Sequence, residues 1–302
     1  MAFAAVSIVL ARFGDRQGVP RPLRDAAPKV VLMFPVSNEL KLLHVKMHDL
    51  DSVVDHYVIS ESCHTSAGDT KQYEVLDAIQ HDARFAPYRH KVVPVKECST
   101  LPTPVGWEVQ NRVRAALPRG LAVINADIRR SVVVTSDCDE VPSAAALLWL
   151  KDKMAAGTDE ATYEFRSTMP VFVYGFVWYA GLNYAMATAR SMAREIQFWR
   201  EHTRGTFQQV VRPIGVFPSG YHCTSCMSAK KLLLKWKRTN EDGESMADKY
   251  AGDVARVERL MALGLRANGR GALGPPPGNV LGVVPTHWNA TYPELFRRWN
   301  SL

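Results

Sequence analysis

The run Ser131-Val132-Val133-Val134-Thr135, followed at once by Ser136-Asp137-Cys138-Asp139-Glu140-Val141-Pro142, constrains this chain more than any other segment. An uncharged, mostly β-branched stretch gives way to three acids within four positions. A run of this kind fits a strand buried on both faces, as in a parallel sheet. Acids at its C-terminal end then lie in the crevice where open α/β sheets bind ligands. Two carboxylates two residues apart do not shed water together without a cation between them. Asp137 and Asp139 therefore read as an Asp-x-Asp site for a hard divalent ion, Mn²⁺ or Mg²⁺, bridging to a diphosphate. The competing reading is an acidic turn after a strand.

At 302 residues the chain can bury a full α/β core as one large domain, or as a domain with a lobe attached. A hydrophobic content of 47% with 22% charged residues sets it apart from disordered chains. The net charge of +7 favours an anionic partner: nucleic acid, an anionic membrane or a nucleotide-sugar diphosphate. Lys230, Lys231, Lys235, Lys237 and Arg238 form the one basic cluster, and a solvated helix face is preferred there to a phosphate site. Five cysteines are too few for a disulfide scaffold. Cys223-x-x-Cys226 is half of a zinc or redox signature without a second half, and a disulfide there is left open. The apolar stretch Met1 to Leu10 meets Arg12 and Asp15 too early for a span and lacks a basic leader, so a soluble, cytoplasmic chain is expected.

Strand and helix patterns alternate through the first half. Strands are expected at 29–34, 53–60, 91–95 and 131–135, and helices at 40–50, 72–81, 107–117 and 143–155. In the third helix Val109, Val113, Ala116 and Leu117 form one buried stripe. This order predicts an α/β fold with a doubly wound sheet. Beyond about residue 160, aromatic-rich strands at 162–166, 171–178 and 183–189 predict an antiparallel or mixed extension, and 246–263 a long amphipathic helix.

Three strand ends are expected to converge. Pro35, Asn38 and Glu39 follow the first strand, Glu61 ends the second, and Asp137 ends a later one. Their acids and amides suit the base edge and ribose of a nucleotide, although a helix-cap or loop acid is the competing reading for Glu39 and Glu61. Asn111 and Arg112 lie on the helix flank leading towards the acid-tipped strand, where Arg112 is expected to meet a phosphate, an acid of the site, or a surface salt-bridge partner.

Read in order, Phe34-Pro35-x-x-Asn38-Glu39, His48-x-Leu50-x-x-Val53-Val54-Asp55, Glu61-Ser62-x-x-Thr65, Asp137-x-Asp139-Glu140-Val141-Pro142, Tyr174-Gly175-Phe176-x-Trp178 and Gly220-Tyr221-His222-Cys223-x-x-Cys226 resemble glycosyltransferase family 17. The resemblance implies a GT-A fold, a UDP-sugar donor with N-acetylglucosamine preferred and glucose or galactose left open, a divalent metal, inversion at the anomeric carbon, and a glycan or glycoprotein acceptor. It gives His222 a metal or phosphate contact beside Asp137 and Asp139. The Arg-, Pro- and Gly-rich stretch before residue 29 reads as a leader (1–28), and the resemblance, which covers about residues 30 to 265, suggests one domain at 29–302 with a nucleotide-sugar half (29–158) and an acceptor half (159–302). Glu241 and Asp242, just past the basic cluster, are the expected general base, with Glu244 and Asp248 as rivals.

Departures from the family are Tyr221 in place of a usual Trp, Ser225 in place of another aromatic, the lack of the animal Golgi members' membrane anchor, and a poorly matching stretch from Ala185 to Gly215. They leave the acceptor open. A sugar-phosphate nucleotidyltransferase would carry a Gly-rich signature near its first strand, which is absent. A nucleic-acid binder would interleave aromatics with Arg and Lys, and here the aromatics follow strand patterns.

Overall fold

The computed structural model describes residues 28–98, 106–124, 131–155, 164–189, 211–213, 215–239, 249–250, 252–267 and 271–296. Its first half comprises β1 (Lys29–Val36), α1 (Leu40–Leu50), β2 (His56–Ser62), α2 (Glu74–His81), β3 (Val92–Glu97), α3 (Trp107–Ala116), α4 (Pro118–Val123), β4 (Ser131–Thr135), β5 (Glu140–Pro142) and α5 (Ala144–Ala155). Strands β3, β2, β1 and β4 lie side by side in that order, all parallel.

The alternation of β1 explains why this half forms. Val30, Leu32 and Phe34 share a core cluster with Leu42, Leu43, Val45 and Met47 of α1. Val31 and Met33 point the other way, with Val58 and Val133, onto Ala116, Leu117 and Leu121. All five β1 residues have zero exposure. At about 1.5–3 kcal/mol per fully buried aliphatic side chain, this two-faced core is the main stabiliser of the parallel half. Gly120 lets α4 approach closely, since a Cβ there would collide with Val58.

The second half comprises β6 (Glu164–Val173), β7 (Tyr179–Ala189), β8 (Val211–Pro213), β9 (Gly220–Thr224), α6 (Ala229–Thr239) and α7 (Val254–Ala262). β7 runs antiparallel beside β4 and pairs with β6, which carries β8 and β9; β5 closes the far edge against β9. The result is a mixed α/β sheet with a parallel first half and a mostly antiparallel extension, as the sequence predicts. Three expectations differ, the first being that the separate strands expected at 162–166 and 171–178 are one strand, β6. The strand expected at 171–178 stops at Val173, because Tyr174 turns the chain at φ 65°. Gly175 follows, where a Cβ would lie 2.6 Å from the Leu295 carbonyl oxygen. The long helix expected from 246 is divided, with Gly252 at φ 74° and Asp253 capping α7 by accepting from Arg256 N at 2.9 Å.

Four of the five cysteines pair, as Cys63–Cys98 and Cys223–Cys226, leaving Cys138 free and buried. No described helix is long and apolar enough to cross a membrane. The expected leader falls almost wholly in residues 1–27, outside the described residues.

Candidate active site

Because β1 and β4 are parallel neighbours, their C-terminal ends open on the same side of the sheet. A cavity of about 360 Å³ lies there, lined by Pro35, Asn38 and Glu39 from the end of β1 and by Asp137 and Asp139 from the end of β4. The antiparallel pairing of β5 with β9 sets His222 opposite Glu140. That register delivers His222 Nε2 to 3.5 Å from Asp139 Oδ1. Six of the predicted site residues therefore share one cavity.

Burial acts against the charge on Asp139. The adjacent His222, through its charge and a hydrogen bond, with Lys235 and Lys46 further away, outweighs it and holds the carboxyl well below the usual range. For His222 burial opposes protonation, and the charge of Asp139 prevails and raises it. Asp137 is engaged differently. Its backbone N–H donates to Glu140 Oε2 at 2.7 Å, and its carboxylate lies 3.2 Å from Arg114 Nη2.

Two cations at the site, Lys46 and Arg114, escaped sequence reasoning, and a third, Lys235, belongs to the basic cluster for which a solvated face is preferred to a phosphate site. Lys46 on α1 is completely buried and donates to Ser136 Oγ, Asp137 O and Glu140 O at 2.8, 2.8 and 2.9 Å. Arg114 takes the place expected for Arg112. Gln110 and Arg114, one helical turn apart, both line the cavity, whereas Arg112 bonds Glu108 at 2.5 Å on an outer face. Neither Arg112 nor Asn111 lines the cavity. Lys235 leaves the solvated face expected of its cluster to line the cavity, 3.5 Å from Glu39, while Lys230, Lys231 and Lys237 stay exposed. For Arg114 the signal is its i, i+4 spacing from Gln110, whereas Lys235 shares that spacing with the exposed Lys231 and nothing local turns it inward.

Glu61 is corrected. Its side chain has zero exposure and lies beneath the cavity, where it accepts from Lys71 Nζ at 2.5 Å and from the N–H groups of Val75 and Leu76 at the start of α2. Burial raises its pKa despite Lys71 and those donors. Its carboxylate caps a helix and has no surface left for a nucleotide. Glu39 partly turns back too, accepting from Ser37 N and Asn38 N at 3.1 and 2.9 Å, yet it still lines the cavity. Glu241, Asp242, Glu244 and Asp248 lie outside the described residues.

Two carboxylates and an imidazole line one cavity and suit a divalent ion such as Mn²⁺ in kind, but with Asp137 turned to Arg114 the three ligand atoms do not all lie within 4.8 Å of one another. A second feature points to a ligand. Asn38 lines the cavity, and its buried Oδ1 has no hydrogen-bond partner among the described residues.

The family model for glycosyltransferase family 17 matches residues 21–261. The human and rat proteins named β-1,4-mannosyl-glycoprotein 4-β-N-acetylglucosaminyltransferase are each 28% identical to this chain over 158 residues, and the mouse protein 27%. Those alignments cover 51% of this chain but only 28% of each relative's length. A solved mannosyltransferase from Pyrobaculum calidifontis, in complex with GDP-Man and Mn²⁺, aligns over 80% of this chain and 71% of its own at 14% identity and a TM-score of 0.39.

Proposed function

The chain belongs to glycosyltransferase family 17, and on that premise we propose that it transfers N-acetylglucosamine from UDP to a glycan or glycoprotein hydroxyl, with inversion at the anomeric carbon. The observation that carries this reading is the cavity between the ends of β1 and β4, where Asp137, Asp139 and His222 meet Arg114 and Lys235. Acids that can hold a metal and cations that can meet phosphate oxygens line the same cavity, which suits a metal-bound diphosphate.

Asp137, Asp139 and His222 would hold Mn²⁺ or Mg²⁺, which supplies positive charge against the departing UDP. Arg114 and Lys235 add fixed cations for the phosphate oxygens. Asn38 and Glu39, at the end of β1 in the cavity lining, would face the uracil and ribose. Lys46 keeps the acid-bearing turn in its productive shape. Glu241 or Asp242 removes the proton of the acceptor hydroxyl; both follow α6, the helix that contributes Lys235 to the cavity wall. Two disulfides favour an oxidising compartment over the cytoplasm expected from sequence. Nucleic acid is not a partner in this reading.

The test is UDP or GDP release with Mn²⁺ from UDP-N-acetylglucosamine, UDP-glucose, UDP-galactose and GDP-mannose, against a panel of mannose-bearing glycans. Turnover confined to UDP-N-acetylglucosamine supports the proposal, and preference for GDP-mannose overturns it. For the base, Glu241→Gln or Asp242→Asn should lower kcat by roughly two to four orders of magnitude with UDP affinity unchanged.

A further inference from the structure

We propose that His48, Asp49 and His287 form a second metal site, for a zinc-type transition ion, which fastens the C-terminal segment to α1. None of the three lines the cavity. They lie at the opposite end of α1, roughly 13 Å along the helix axis from Glu39 at a rise of about 1.5 Å per residue.

Two segments 238 residues apart in sequence meet here. Asp49 Oδ1 is 3.3 Å from His48 Nδ1 and 3.0 Å from His287 Nε2, and the three ligand atoms all lie within 4.8 Å of one another. Trp288 Nε1 donates to the same oxygen at 2.9 Å, which fixes the orientation of the carboxylate as outer partners of metal ligands do. His48 also packs edge-on against Trp288, with ring centres 4.7 Å apart.

Without an ion, two imidazoles and an indole all turn nitrogens to a single carboxylate oxygen. With one, the imidazoles present lone pairs to the metal and only the indole still donates. The His48 and His287 ring centres are 6.2 Å apart. Two imidazoles on one zinc, each nitrogen about 2.0–2.1 Å away, bring their centres to roughly 5 Å, a small adjustment for exposed side chains. Exposures of 51% for His48 and 59% for His287 leave room for a water as the fourth ligand. Two imidazoles favour zinc or cobalt over magnesium, whereas the cavity is richer in carboxylate.

The experiment is equilibrium dialysis of untagged, metal-stripped protein against limiting Zn²⁺ with excess Mg²⁺, followed by measurement of bound zinc and Tm. Wild type and Asp139→Ala are expected to retain a zinc equivalent that His48→Ala and His287→Ala both lose. Zn²⁺ should raise Tm by a few degrees in wild type and leave it unchanged in the histidine variants. The side chains removed are exposed, and His287→Gln, which keeps polarity and bulk, must lose zinc as well. Retention of zinc by the histidine variants, its loss in Asp139→Ala, or no binding to wild type would overturn the proposal.

Discussion

The Lys46 ammonium lies 2.8 Å from the carbonyl oxygen of Asp137, so a buried cation on α1 holds the acid-bearing turn from beneath. It also sits 4.1 Å from the centre of the Phe34 ring, which shields it from water. Lys46→Met keeps the packed stem and deletes the donor to three oxygens. Asp137 O keeps the N–H of Glu140, so at about 1–3 kcal/mol for each of the two other oxygens unfolding free energy should fall by about 2–6 kcal/mol. Urea denaturation reads this, and an unchanged midpoint would mean that the turn stands without Lys46.

Arg114 and Arg112 make an internal control on one helix. Arg114 faces Asp137 in the cavity, and Arg112 bonds Glu108 outside it. Arg114→Gln should lower kcat/KM for the donor roughly tenfold or more, as expected for loss of a charge-assisted contact. Arg112→Gln should leave it within about twofold, since an exposed i, i+4 pair contributes little. Equal effects would refute the assignment.

Glu61 should matter for folding and not for the donor. Glu61→Gln breaks a buried pair with Lys71, a change worth about 3–5 kcal/mol. Stability should drop by that order, while the UDP affinity of the folded fraction stays near wild type. A selective loss of UDP binding with normal stability would restore the nucleotide contact read from sequence.

The Cys63–Cys98 bridge closes a loop across 35 positions of sequence. Removing a crosslink of this span costs about 2–4 kcal/mol on the chain-entropy account. Cys63→Ser with Cys98→Ser should therefore lower the denaturation midpoint, and reductant should have no further effect through that bridge. A midpoint unmoved by the double substitution would remove the argument for an oxidising compartment.

The parallel half was legible because its signals are local. The stretch from Val30 to Phe34, the 40–50 helix and the 131–135 strand each carry their own periodicity, and they appear within a few residues of where sequence puts them. The second half was less so, because its boundaries depend on distant neighbours. Tyr174 and Gly175 turn against the carbonyl of Leu295, which no local pattern announces. In the site, the acids and His222 stood out by motif. The cations that organise them did not, since whether Lys46, Arg114 or Lys235 faces inward is decided by packing across the sheet. Glu61 shows the converse: a strand-end acid looks the same in sequence whether it meets a ligand or a helix N-terminus.

The central claim, that Asp137 and Asp139 bind a metal-dependent nucleotide donor, is tested most directly by calorimetric titration of UDP into wild type and Asp139→Ala, each with Mn²⁺ and with chelator. Wild type should bind UDP at least roughly tenfold more tightly with Mn²⁺, a difference of about 1.4 kcal/mol, and the folded variant should show no such gain. Equal UDP affinity in chelator, or an undiminished Mn²⁺ effect in Asp139→Ala, would contradict the account.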